Sequence, residues 1–235
     1  MHERLATLDN PVWNALSTKQ ASLGKQNRLA SLYDPAISPF AAVAEPSREA
    51  MGDICLLIPE DGYVLIQSLW VLPPDEQLRI EVVGIIHQMV AVDAPTVQID
   101  NEVVRLNPGD MEDILTLVSS AKPGPFSTRT LEMGDYFGIY EGGRLVAMAG
   151  ERMRLDGYVE ISAICVDNAF RGKGLAQRLI SFLRREILQR GDIPFLHVLS
   201  ENHSAISLYQ WLGFEIRQLF FLSKLSHAHI LKTGI

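Results

Sequence analysis

The chain has 235 residues, 47% of them hydrophobic and 21% charged, with a formal charge of −7. That length suits two compact units, and the composition is that of an ordinary soluble globular protein. The acidic balance argues against a general nucleic-acid binder, and no apolar run approaches the ~18 residues of a membrane-spanning helix. Met1–Ala6 leads into no apolar stretch of signal-peptide type, so a cytoplasmic location is expected. Cys55 and Cys165 are far apart, both in apolar strand-like runs, and read as small core residues rather than a disulfide or metal pair.

In chain order, Asp9-Asn10-Pro11 is a helix start, with a side-chain cap and an early proline. The helix would carry Val12, Trp13, Leu16 and Leu23 and close near Gly24. Ile37–Val43 reads as a strand, placed at a sheet edge because of Pro39. Asp53–Ile58 and Tyr63–Val71 read as two strands joined by the turn Pro59-Glu60-Asp61-Gly62, a hairpin pattern. Arg79–Val92 is apolar and fits strand or helix equally. Within this portion His87, Trp13 and Trp70 read as structural, and no glycine loop or catalytic constellation is found. A boundary is expected over Val92–Ile99, at Asp93-Ala94-Pro95.

Val103–Leu106 is then a strand, and Asn107-Pro108-Gly109-Asp110 leads into a helix bearing Met111, Ile114, Leu115 and Val118. Ala121–Phe126 is loop by composition. Asp135–Glu141 and Arg144–Arg154 form a hairpin about Gly142-Gly143, and Gly157 opens the next strand. That strand, Glu160–Val166, is a nearly continuous apolar run of interior type. Asp167-Asn168 ends it, and the loop Phe170-Arg171-Gly172-Lys173-Gly174 feeds a helix. In that helix Leu175, Leu179, Phe182, Leu183 and Ile187 recur at helical spacing.

Glycines before a helix N-terminus let an anion approach unpaired backbone N–H groups at the positive end of the dipole. Arg171 and Lys173 add charge there, although such a loop by itself is as readily a tight turn. Phe195–Leu199 is a second strand, followed by a short helix with Ala205, Ile206, Leu208 and Tyr209. The run Ile216, Leu219–Leu222 is a last strand, and Ser226–Ile235 a loose end whose two histidines lack a metal's wider ligand set.

Two of these motifs, in this order, resemble the acyl-CoA-binding half of the GNAT superfamily of N-acetyltransferases. Arg171-Gly172-Lys173-Gly174-Leu175-Ala176 matches its R-x-x-G-x-A loop. Asn202, Ala205, Leu208, Tyr209, Gly213 and Phe214 match its N-x-x-A-x-x-L-Y-x-x-x-G-F element. The resemblance implies an α/β chain of α+β type with a mixed central sheet flanked by helices. It further suggests two tandem units: a degenerate GNAT-like or scaffold domain over 1–100, an acetyltransferase domain over 101–225, and a tail over 226–235. Phe126–Thr130 would be the segment that shapes the acceptor site.

By the same resemblance acetyl-CoA is the co-substrate, an amine the acceptor, and no metal, nucleic acid or membrane is involved; a homodimer is left open. The pyrophosphate would lie on Arg171, Gly172, Lys173, Gly174, Leu175, Ala176 and Gln177. The pantetheine arm would lie along Ile164, Cys165 and Val166, where the strand splays from its neighbour, and against Asn202. Only backbone is required of Cys165. Tyr209 would protonate the departing thiolate; otherwise it is a core aromatic. Two residues compete as base. Glu160 lies where some members carry a carboxylate acting through water. His197 lies where ribosomal-protein N-terminal acetyltransferases carry a glutamate, and it reads equally as structural. Glu151 and Glu160 could instead orient a cationic amine. The expected activity is acetylation of a primary amine of a small molecule or amino acid. The alternatives are a peptide N-terminus or protein lysine as acceptor, and a CoA-binding sensor without turnover.

Overall fold

The computed structural model describes residues 5–92, 100–121 and 124–228. They fall into two compact units. The first takes 5–35, 39–86 and 219–228; the second takes 36–38 and the described part of 87–218. The chain is therefore divided between residues 86 and 87 and again between 218 and 219, whereas the sequence reading draws one cut at 100. The expected boundary residues Asp93–Ile99 lie outside the described residues.

The first unit opens with α1 (Pro11–Ser17), β1 (Gly24–Gln26), β2 (Ala30–Tyr33), β3 (Phe40–Val43), α2 (Arg48–Cys55) and β4 (Val64–Ser68). Next comes β5 (Leu78–Ala91), whose last residues belong to the second unit. Asn10 does not cap α1; its amide donates to the Val43 carbonyl at 2.7 Å, and the helix ends at Ser17 rather than near Gly24. The expected strand Asp53–Ile58 is instead the last turn of α2, to Cys55, and the turn that follows it. Ser47 caps α2 by accepting from the Ala50 N–H, and helical spacing buries Ala50, Met51, Ile54 and Cys55 on one side. Pro59–Gly62 is consequently no hairpin turn. β3 and β4 pair in parallel, Phe40 with Leu65 and Ala41 with Ile66, and α2 is the crossover. β3 is interior, between β2 and β4, because Pro39 stands outside the strand and its carbonyl accepts from the Leu65 N–H. Against α2 pack Leu32, Val43, Val64, Ile66 and Leu225.

The second unit continues with β6 (Val103–Leu106), α3 (Met111–Ala121), β7 (Tyr136–Glu141), β8 (Arg144–Leu155) and β9 (Tyr158–Val166). It closes with α4 (Leu175–Gln189), β10 (Ile193–Leu199), α5 (His203–Trp211) and the start of β11 (Phe214–His227). The rest of β11 pairs with β4 in the first unit, so Ser226 and His227 are strand rather than loose tail. Asn107 and Asp110 form a capping box before α3. A short 3-10 turn, Thr130–Met133, precedes β7.

Strand order in this unit is β5, β10, β9, β8, β7, β6, with β9 and β10 parallel and β6 to β9 antiparallel. Strand alternation sends Ala147 and Ala149 to one face, packed with Leu179, Leu183 and Ile187 of α4. Met148 goes to the other, with Ile114 and Leu117 of α3. This is a mixed sheet covered by helices on both faces.

Candidate active site

The loop before α4 is built to leave backbone uncovered. Gly172 and Gly174 have φ of 78° and 76°, a region glycine enters without the steric cost borne by other residues. A Cβ added at Gly172 would meet nothing within 4 Å, and one at Gly174 only the Gln177 Oε1 at 3.9 Å. The Arg178 N–H closes the first intrahelical bond, onto the Gly174 carbonyl at 3.0 Å. The N–H groups of Leu175, Ala176 and Gln177 precede it, at the positive end of the helix. Arg171 and Lys173 are exposed beside them. Asp167 braces the approach, accepting from the Ala169 N–H at 2.9 Å and pairing with Arg144. An open, positively polarised turn of this kind fits a diphosphate.

Behind the loop, β9 parts from β10. Parallel pairing joins Tyr158 to Ile193, Val159 to Pro194 and Glu160 to Phe195, and goes no further. The other edge of β9 is irregular over the same segment. Its register with β8 slips between Met148–Cys165 and Gly150–Ser162, and Ala163 sits at φ 51°, the one positive-φ non-glycine among the described residues. A bulge of this type bends the strand. Ile164, Cys165 and Val166 lie on the diverging segment. Cys165 is 5% exposed; burial pushes its thiol up to about 12, outweighing the lowering effect of a bond with the Met148 backbone. It is a protonated thiol, unsuited to covalent catalysis.

Glu160 and His197 meet where the strands separate. Glu160 Oε1 lies 2.7 Å from His197 Nδ1, and Arg152 on β8 grips the same carboxylate with Nε at 2.7 Å and Nη2 at 2.5 Å. Glu160 is fully buried. Burial alone would raise its pKa, but the charge and hydrogen bonds of Arg152 and the bond from His197 reverse that and hold it at about 2. A carboxylate so stabilised is a poor proton acceptor near neutrality and a good orienting group. The other ring nitrogen of His197, Nε2, lies 3.2 Å from the Gln88 amide nitrogen. Sequence reasoning missed Arg152 and Gln88, although a carboxylate placed in an interior strand signals that a cation must accompany it.

Tyr209 and Asn202 come from α5. Tyr209 is 9% exposed within the cluster beneath α4, which includes Leu175 and Val198 with Ile164 and Val166 packed against it. Burial pushes its hydroxyl up to about 12. Asn202 caps α5, accepting from the Ala205 N–H at 3.2 Å. Glu151 does not join Glu160. It is buried between Arg154 and Arg190, which also hold Asp135. A cavity of about 450 Å³ borders this second cluster, lined by Arg105, Asn107, Glu132, Asp135 and Tyr136, and none of the expected site residues lines it.

Known proteins agree with this geometry. A family model described as FR47-like protein matches residues 136–221, from β7 into β11. The N-alpha-acetyltransferase RimI of Mycobacterium tuberculosis is 38% identical over 85 residues, 34% of this chain and 51% of that protein, so the chain spans about half the length of that curated relative. A GCN5-related N-acetyltransferase from Kribbella flavida shares the fold, with a TM-score of 0.65 over 94% of this chain and 97% of that one at 15% identity. A GNAT-family structure from Novosphingobium aromaticivorans is 33% identical over 94% of this chain and 98% of that one, with a TM-score of 0.88. The open glycine loop, the parted strands and this end-to-end likeness have one reading: the chain belongs to the GNAT family of acetyltransferases.

Proposed function

We propose that the protein transfers the acetyl group of acetyl-CoA to the primary amine of a small molecule or amino acid by direct attack. The observation that carries this reading is the Glu160–His197 pair at the parting of β9 and β10, in a unit that also carries an open diphosphate cradle. Acetyl-CoA supplies an activated acyl carbon and a thiolate leaving group. The backbone of 172–177 and the side chains of Arg171 and Lys173 hold the diphosphate. The backbone of Ile164–Val166, beyond the last pairing with β10, and the side chain of Asn202 hold the pantetheine arm.

His197 is the base. Glu160, clamped by Arg152, orients the ring and stabilises the imidazolium, the division of labour of a carboxylate–histidine pair. As the C–N bond forms and the C–S bond breaks, His197 takes a proton from the amine and Tyr209 gives its own to the departing sulfur. Both residues then regain their starting states by exchange with water. The His197 side chain is only 3% exposed, which favours a slender amine able to reach a recessed base. A second reading, acetylation of a peptide α-amine, is favoured by the likeness to RimI across 85 residues. The first unit has no counterpart of the cradle among its described residues, and we read it as a scaffold related to the second.

The test is release of CoA thiol from acetyl-CoA over a panel of small amines, amino acids and short peptides. The proposal expects turnover with the small amines, abolished in His197→Gln. Turnover with peptides alone supports the second reading, and none with any amine indicates a CoA-binding module.

A further inference from the structure

The ring of His197 is fixed by more than Glu160. Arg217 on β11 places Nη1 2.8 Å from Oε1 of Gln88 on β5. A guanidinium only donates, so the Gln88 atom facing it is the amide oxygen. The NH₂ of Gln88 therefore faces His197 Nε2 at 3.2 Å, and an amide N–H needs an acceptor there. The lone pair of the ring is thus on Nε2 and its proton on Nδ1, which faces the ionised Glu160 at 2.7 Å. Each donor in the series Arg217, Gln88, His197 finds an acceptor in the next member, and Arg152 completes the bonding of Glu160. Gln88 is fully buried, as a member of such a chain must be satisfied to be tolerated.

We infer that Gln88, itself oriented by Arg217, is a positioning residue that sets the tautomer of His197 and holds its basic nitrogen until the acceptor amine takes that contact. This rests on His197 being the base, as proposed above. The charged groups about the ring are Glu160 from β9, Arg152 from β8 behind it, and Arg217 from β11 behind Gln88; the Tyr136 hydroxyl from β7 lies near Arg152 and Glu160. A proton arriving on Nε2 would point at the Gln88 NH₂, so Gln88 must withdraw when the base is used. A glutamate at position 88 would invert that contact, since its carboxylate would bond Arg217 and accept from Nε2–H.

The tautomer is read directly by long-range ¹H–¹⁵N correlation on the full chain labelled at histidine, with His197→Asn identifying the signal. Near neutral pH the wild type is expected to show Nδ1 protonated and Nε2 bare. In Gln88→Glu, where the new carboxylate faces the ring, Nε2 should carry a proton. Should that variant fail to fold, Arg217→Gln is expected to give a mixture of the two neutral forms. A wild-type ring with its proton on Nε2, or a spectrum unchanged in the variants, would overturn the inference. The expected tautomer in a protein that acetylates no amine would leave the tautomer lock standing and remove the catalytic reading alone.

Discussion

Glu160 shows how one residue can be fully buried and still charged. Its carboxyl falls from a reference value of 4.5 to about 2 in the folded chain. A group depressed on folding stabilises the protein above its unfolded pKa, and that contribution fades as pH falls from about 4.5 towards 2. The size is about 3 kcal/mol, with the opposing effect of burial already included. Urea titrations from neutral to acid pH should show a midpoint that declines through that window in wild type, with a shallower decline in Glu160→Gln. Equal declines would mean that the carboxylate is not held in this way. Tyr209 supplies the complementary case. Its hydroxyl, pushed to about 12 by burial, stays protonated, so no alkaline limb belonging to it should enter the rate profile below about pH 11. Tyr209→Phe should lower kcat about 100-fold and leave acetyl-CoA affinity unchanged, as measured by steady-state kinetics beside a binding titration.

The elements about the cradle were legible because their signals are local. A β-rich run, two turn formers, two glycines and an amphipathic period place β9, the loop and α4 with little help from the rest of the chain. The helix α2 is hidden for the opposite reason. Its last two residues open the apolar Ile54-Cys55-Leu56-Leu57-Ile58 run, and so short a run does not separate strand from helix; only Ser47 argues for the helix. The bulge at Ala163 has no sequence signature at all, since an alanine in a strand announces no positive φ. Its conformation costs about 1–3 kcal/mol, offset by the pairing around it. Ala163→Val, β-branched at the same φ, should lower the melting temperature and weaken acetyl-CoA binding together, whereas Ala163→Gly should preserve binding. A valine variant with unchanged stability and affinity would remove the bulge as the cause of the strand parting.

Across the whole molecule, the features missed were those made by residues far apart in the chain. Gln88 and His197 are separated by 109 positions, and Arg217 comes from a third strand. No window along the sequence contains that series, and the resemblance that singles out His197 says nothing of what fixes its ring. The division into units was hidden likewise, because β11 returns its last residues to the first unit. The proposed roles predict an uneven response to ligand. In hydrogen exchange, acetyl-CoA should protect amides of 161–178 and 196–205 in the second unit and leave α2, β2 and β3 of the first unchanged.

All of this depends on the loop over Gly172 and Gly174 receiving the diphosphate. The most direct test is a calorimetric titration with acetyl-CoA of wild type and Gly174→Glu, a substitution that sets a carboxylate over the open helix end. Room for the new side chain, with no contact nearer than 3.9 Å to its first carbon, makes a folded variant the expectation, at a cost of about 1–2 kcal/mol for the left-handed backbone. The account predicts saturable binding by wild type and its loss in the folded variant. Absence of binding in wild type, or equal binding by both proteins, would contradict it.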